Sequence, residues 1–484
     1  MTWILEHWFV LLLFAIYSAL LVHHAIVGKR RTHDTADYYV GGRTMGGVAI
    51  GISFFATYSS TNSFVGFSGQ AYSYGTPWLL LTPAVVIFCF IAWRWVAPRL
   101  REFTASTGSV TLPDFIGFRF DSNPARMLGA AIILFASFLY MTAIFKGIGN
   151  LLAIFLGIPY GVSILVVFVI VMAYTAVGGF ISVVRTDVVQ GMIMVFAAIV
   201  LFMGTTRAAG GMGSFFEVAR QPATASLFSW NGAMPFPVLL GVIVAGTLKF
   251  IVEPRQLSRF YALEDRRAIH RGMWVATLTF LFVYSMLLPI GIYAHNIIPV
   301  VLEDTDLVVP TLISGGSVFS SPVGAFLLVA MVAAAMSSLD SVLLVMASTC
   351  ERDIVSLLRP PSSERSVVSA TRFYVGLFAL VTALLALNPP GQIVTLTAFS
   401  GSLYAACFFP SIILGLHWRR GTGTAVIASY VAGIATLLLW QYTPYASVIH
   451  RVFPALLLSV LSYVVISLVA QPNRSDAVEA LFWV

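Results

Sequence analysis

The run Gly51-Ile52-Ser53-Phe54-Phe55-Ala56-Thr57-Tyr58-Ser59-Ser60-Thr61-Asn62-Ser63 sets polar groups inside an otherwise apolar stretch, and seven of its thirteen residues are Ser, Thr or Asn. In hydrocarbon each unpaired backbone group costs several kcal/mol, so an irregular polar stretch is tolerated only where it lines a cavity. Broken helices of this kind build transporter sites in which freed carbonyls and hydroxyls hold Na⁺. A Ser/Thr-rich helix-packing face is the structural alternative. The theme returns in Ala333-Ala334-Ala335-Met336-Ser337-Ser338-Leu339-Asp340-Ser341. Here small residues allow close helix approach, and two adjacent hydroxyls can replace part of an ion's hydration shell. With carbonyls from a broken partner helix they would supply about five oxygens. A small-residue packing seam is again the alternative. Asp340 weakens it, because a buried carboxylate costs several kcal/mol unless partnered.

Other ionisable residues stand at or near membrane depth. Asp187, in Arg185-Thr186-Asp187-Val188-Val189-Gln190, is either an ion ligand or an N-terminal helix cap. Lys249 and Glu253 are spaced for an i,i+4 ion pair, followed by Pro254. The other reading of Lys249 is a partner for an anionic solute. Lys146 is expected to snorkel to the outer surface. The eight histidines show no metal-ligand spacing, and no nucleophile or metal cluster marks an enzyme.

These residues must be positioned by membrane spans. Of 484 residues 59% are hydrophobic and only 10% charged, where a soluble domain carries roughly 25% charged residues. A span needs about 20 apolar residues. Such stretches fall near 3–27, 45–70, 77–97, 127–156, 160–178, 186–208, 237–261, 272–297, 322–349, 370–388, 394–416, 422–441 and 449–470. That makes about thirteen, each with a boundary error of a few residues. The first run lacks a basic n-region and an A-x-A site, and so reads as a span rather than a cleaved signal.

The +7 charge gathers in alternate loops, at Lys29–Arg31, Arg99 and Arg101, Arg266, Arg267 and Arg271, Arg352, Arg359 and Arg365, and Arg419 and Arg420. The intervening loops hold Arg207, Arg220 and Arg451. This is the positive-inside pattern rather than a nucleic-acid footprint. It places the N-terminus outside and the C-terminus in the cytoplasm of a plasma-membrane, multi-pass protein. Of two longer outer loops, 209–236 and 298–321, the second holds Gly315, Gly316 and, just beyond it, Pro322. It reads equally as a gating lid or a plain connector. Cys89, Cys350 and Cys407 form no CxxC pair. GxxxxGK[ST] is absent, so no ATP-driven engine is legible.

Several segments, in order, carry a resemblance. They are Asp37-Tyr38-Tyr39-Val40-Gly41-Gly42-Arg43 before the polar span, Gly178-Gly179-Phe180, Thr186-Asp187-Val188-Val189-Gln190, Arg259-Phe260 and Met336-Ser337-Ser338. From about residue 5 to 470 the chain resembles the sodium:solute symporter family. The resemblance implies an all-α polytopic fold with a leucine-transporter-type core of two inverted five-helix repeats. These would span about 45–208 and 237–416, with one extra N-terminal and two extra C-terminal helices, in a single transporter domain over 1–484. It implies a Na⁺ site at Ala56, Ser59, Ala334, Ser337 and Ser338, with Ala56 and Ala334 acting through carbonyls and Ser337 and Ser338 through hydroxyls. Ser59 is expected to act through its carbonyl.

A second cation site in some members would join Asp187 to Ser341, and here Asp340 replaces the usual hydroxyl. Ser60 and Ser63 match solute-facing positions, with Tyr58 beside them. Ala56-Thr57-Tyr58-Ser59, Ala268-Ile269-His270-Arg271-Gly272 and Leu414-Gly415-Leu416-His417-Trp418 look most like the pantothenate and monocarboxylate branches. The expected solute is then a small carboxylate, with Lys249 as its partner and Na⁺ as the coupling ion. Sugar or proline-like solutes, a transporter-like membrane sensor and a channel are the alternatives. Oligomeric state is not legible.

Overall fold

The computed structural model describes residues 2–32, 34–314, 316–471 and 478–479, so Gly315 of the loop 298–321 lies outside the described residues. The protein is all-helical, and one isolated bridge joins Met45 to Leu263. The elements used below are α1 (Thr2–Arg31), α2 (Gly47–Tyr58), α3 (Phe67–Tyr74), α4 (Thr76–Thr107), α5 (Asn123–Leu156), α6 (Tyr160–Ala208) and α7 (Phe236–Thr247). They continue with α8 (Pro254–Ala262), α9 (Arg266–Ala294), α10 (Ser321–Cys350), α11 (Glu364–Ala386), α12 (Ile393–Phe409), α13 (Gly423–Leu439) and α14 (Val452–Val469).

Among the described residues, eleven helices are long and apolar enough to cross a membrane. The expectation of about thirteen departs from this at two places. The stretch near 45–70 is not one helix: α2 stops at Tyr58, a π-helical turn covers Asn62–Gly66, and α3 follows. The stretches near 160–178 and 186–208 are two helices that meet, within α6, at a kink at Gly179, whose φ of 61° and ψ of −168° suit glycine alone; Gly178–Ala208 is among the eleven and the apolar helix before it, Tyr160–Met172, is shorter. A side chain at Gly179 would also collide with the Tyr38 ring, 2.8 Å from the added carbon.

The two breaks at the core have different chemical causes. At the first, serine side chains compete with the backbone: Ser60 N donates to Ser63 Oγ and Asn62 N to Ser60 Oγ. Such bonds offer the chain an alternative to the helical ladder. At the second, Glu253 precedes Pro254, and the proline ring pushes the preceding residue out of the helical region. Glu253 accordingly has ψ 125°, and α8 starts afresh at Pro254.

Packing brings the breaks together. The most apolar stretch of α10 is 94% buried, against 22% for that of α1, so α10 runs through the middle of the bundle and α1 along its outside. α2 lies against α9 with almost no intervening side chain, since carbons added at Gly47 and Gly51 would sit 2.0 Å from Ala268 O and 2.7 Å from Gly272 O. Phe54 fixes the other face of α2, with ring centroids 5.4, 5.6 and 5.3 Å from Trp93, Phe250 and Phe260. The loop 298–321 carries a short helix, Val308–Ser314, and a buried acid, Asp306.

Gly47→Val is therefore expected to lower thermal stability in detergent by about 1–3 kcal/mol, the usual cost of overpacking. Gly46→Ala, where an added carbon meets nothing within 4 Å, should leave the melting temperature unchanged. Equal melting of the two variants would show that α2 and α9 do not need this close approach.

Candidate functional site

The break after α2 leaves two carbonyls without their helical amides, because the chain turns away at Ser59, whose ψ is 119°. α10 supplies the missing donors. Ser337 Oγ lies 2.9 Å from Ala56 O and 2.8 Å from Ala334 O, with one proton to give between them, and Ser338 Oγ donates to Thr57 O at 3.0 Å. All of these residues are fully buried. The structure thus brings Ala56, Ala334, Ser337 and Ser338 to one junction and adds Thr57 to it. No hydrogen bond among the described residues links Ser59, also fully buried, to this junction. The donor set consists of neutral oxygens, the chemistry by which unwound transporter helices hold Na⁺.

The second candidate cluster differs from its expectation. Asp187, Asp340 and Ser341 do converge, but a side chain's own cation stands among them. Arg259 Nη2 lies 2.8 Å from Asp187 Oδ2 and 2.7 Å from Ser341 Oγ, and Arg259 Nε donates to Ser53 Oγ at 3.2 Å. Asp187 Oδ2 also accepts from Ser53 Oγ at 2.5 Å and from Thr57 Oγ1 at 3.2 Å. Asp187 lies two turns past the Gly179 kink, inside α6, so it is not an N-terminal cap. Asp340 keeps weaker company: Tyr174 Oη reaches Oδ2 at 3.5 Å and Ser341 Oγ reaches Oδ1 at 3.4 Å.

Lys249 does not pair with Glu253. An i,i+4 contact needs a continuous helix, and the helix ends at Glu253. Glu253 instead takes Arg255, with Nε to Oε1 at 2.7 Å and Nη2 to Oε2 at 3.2 Å. No carboxylate among the described residues lies within ion-pair distance of the Lys249 ammonium. It sits 4.7 Å from the Tyr140 ring centroid, on a small cavity. Tyr58, Asn62, Trp78 and Arg255 line the same cavity, and Asn62 Oδ1 is buried with no hydrogen-bond partner. Gly401 makes room for the lysine stem, since a carbon added there would lie 2.7 Å from Lys249 Cε.

The other solute-site expectations divide. Tyr58 lines the cavity, donating to Gly246 O at 3.1 Å. Ser60 and Ser63 are spent on the break and its neighbours: Tyr140 Oη donates to Ser60 Oγ at 3.2 Å, and Ser63 Oγ is 2.7 Å from Tyr284 Oη. Neither lines the cavity. Lys146 is not a surface snorkel either; it is buried and paired with Asp306 at 2.8 Å. Nothing in the sequence marks Arg255 or gives Asn62 a place apart from the other polar residues of its run, and Arg259 stands out only as part of a motif. The signal for Arg259 was an arginine beside apolar residues in a membrane segment. Its partner, 72 positions away, has no local mark.

Comparison with known proteins adds the following. The sequence model of the sodium:solute symporter family matches residues 38–433. The sodium/pantothenate symporter of Haemophilus influenzae is 29% identical over 447 residues, covering 91% of this chain and 92% of that protein. The high-affinity proline transporter of Bacillus subtilis is 29% identical over 456 residues, covering 91% and 94%. In structure, the chain is similar to a Na⁺-coupled sialic acid symporter, with a TM-score of 0.83 at 18% identity over 96% of this chain and 98% of that one. At this identity the likeness is one of fold.

Breaking the buried Asp187–Arg259 pair should be costly. Asp187→Asn and Arg259→Gln are each expected to lose about 3–5 kcal/mol, because each leaves an uncompensated buried charge. D187N/R259Q should lose less than the sum of the two. Thermal unfolding of the four proteins measures this; a double variant that melts at the additive position would sink it.

Proposed function

The chain belongs to the sodium:solute symporter family and is a multi-pass, Na⁺-coupled solute transporter, and on that premise we propose that its solute is a small organic anion carrying one carboxylate. The single observation that carries this reading is the Lys249 ammonium, buried in an aromatic cavity with no carboxylate of its own. An unpaired cation at membrane depth is costly, and an anionic solute would remove that cost on binding. The cavity's charges, Lys249 and Arg255 against Glu253, leave one net positive charge for a monoanion. The pantothenate symporter among the relatives is consistent with this chemistry. A zwitterionic, proline-like solute is the second reading. It is favoured by the proline transporters among the relatives and by Asn62 Oδ1, an acceptor open to an N–H donor.

In this reading Na⁺ is held by the carbonyls of Ala56 and Ala334 and the hydroxyls of Ser337 and Ser338, with Ser59 completing the set. A hydroxyl has one proton and two lone pairs, so Ser337 and Ser338 can either donate to the freed carbonyls or turn their oxygens to the ion. Tyr58 and Lys249 hold the solute. The Asp187–Arg259 pair, with Ser341, acts as a clamp in which the two charges balance, and Asp340 stands beside it outside the pairing. Stretches 45–208 and 237–416 form the two inverted repeats that rock about this midplane site. The N-terminus lies outside and the C-terminus in the cytoplasm in this reading, which the alternation of basic loops supports.

The test is uptake into proteoliposomes of labelled pantothenate, lactate and proline under an imposed Na⁺ gradient. A carboxylate is expected to accumulate in a Na⁺-dependent way. Ser337→Ala should raise the Na⁺ concentration for half-maximal uptake about 5- to 30-fold, the worth of one or two kcal/mol of lost ligation. Lys249→Met should abolish accumulation of the carboxylate. Uptake indifferent to Na⁺ at a fixed proton gradient would overturn the sodium assignment, and undiminished carboxylate uptake by Lys249→Met would overturn the solute assignment.

A further inference from the structure

One carbonyl belongs to both halves of the site. Thr57 O accepts from Ser338 Oγ at 3.0 Å on the side of the proposed sodium junction and from Arg255 Nη1 at 2.7 Å on the side of the cavity. Arg255 is 2% exposed and lines that cavity. Its orientation is over-determined, with two bonds to the Glu253 carboxylate and the guanidinium carbon 4.0 Å from the Tyr140 ring centroid. Tyr140 is also the ring that the Lys249 ammonium faces.

We propose that Arg255 is a positioning residue that couples the solute cavity to the sodium junction through the Thr57 carbonyl. The inference rests on the sodium junction described above. A carbonyl has two lone pairs and can keep two donors at once. When Ser338 turns its oxygen toward an ion, Thr57 O loses one donor. Arg255 remains as the other, so no buried carbonyl is orphaned at membrane depth, where that would cost several kcal/mol. Arg255 thereby lowers the cost of turning Ser338. The link runs both ways, since a coupling between two binding events is reciprocal. A solute carboxylate that draws the guanidinium toward Lys249 changes its hold on Thr57, and ion binding changes the hold in return.

A double-mutant cycle tests this without any solute. The purified full chain is melted in detergent over a series of NaCl concentrations, with choline chloride keeping ionic strength constant, and the Na⁺ concentration giving half of the stabilisation is read. Arg255→Gln is expected to raise that concentration about 5- to 30-fold, as for one lost hydrogen bond to a buried group. In a Ser338→Ala background the same substitution should have less than half that effect on a logarithmic scale, because no hydroxyl remains to be turned. E253Q/R255Q repeats the measurement without leaving Glu253 as an unpaired buried charge, and covers the case in which Arg255→Gln alone does not fold. An unchanged Na⁺ concentration in both Arg255 variants, or equal effects with and without the Ser338 hydroxyl, would overturn the coupling role while leaving the sodium junction standing. A wild-type chain with no Na⁺-specific stabilisation would overturn the sodium junction, and the coupling role with it.

Discussion

Two carbonyls at the end of α2 organise the centre of this protein. A helix that stops within a membrane exposes acceptors that water cannot reach, and the bilayer offers nothing in exchange. The chain answers with side chains from other helices: Ser337 for Ala56 O, and Ser338 and Arg255 for Thr57 O. Each donor needs its own helix held at hydrogen-bonding distance. The glycine contacts of α2 with α9, the aromatic cluster around Phe54 and the deep burial of α10 all serve that registration. A site made of such replaceable donors is suited to a weakly held ion, because the same oxygens are satisfied with or without it.

Charge follows the same rule. Buried ions are tolerated where they are paired and hydrogen-bonded, and most here are. Asp187 has Arg259, Glu253 has Arg255, and Asp306 has Lys146. α5 is pinned near both ends: Arg126 binds Asp114 and Asp353, each at 2.7 Å, and Lys146, about 30 Å further along the axis at 1.5 Å per residue, binds Asp306. Asp306 also accepts from Ile393 N at 3.0 Å, tying the loop 298–321 to the start of α12. The exceptions stand where solute or ion chemistry is proposed. Lys249 faces the cavity with no carboxylate partner, and Asp340 has only long contacts with hydroxyls.

Much of this is legible in the amino-acid sequence. Apolar bulk and scarce charge determined the membrane class, because no fold of a single chain can hide that much hydrocarbon from water. The clustering of Ser, Thr and Asn at 53–63, and the small-residue run ending in Ser337 and Ser338, marked the two segments that meet. The second break falls inside a stretch that reads as one continuous span near 237–261, although Pro254 after Glu253 carries a local steric signal for it. These are short-range facts of composition and backbone sterics, carried by the amino-acid order itself.

Partnership was decided only by the tertiary structure. From spacing, Lys249 and Glu253 form an ion pair; the break between them hands Glu253 to Arg255 and turns Lys249 into the cavity. By resemblance, Asp187, Asp340 and Ser341 invite a cation; the fold delivers Arg259 from 72 positions away. Ser60 and Ser63 look like solute ligands, yet the turn they create consumes them. A sequence records which groups need a partner in a medium without water. Which group arrives depends on where helices far apart in the chain come to lie, and that is set by packing at glycines and aromatic rings rather than by any residue's neighbours in sequence.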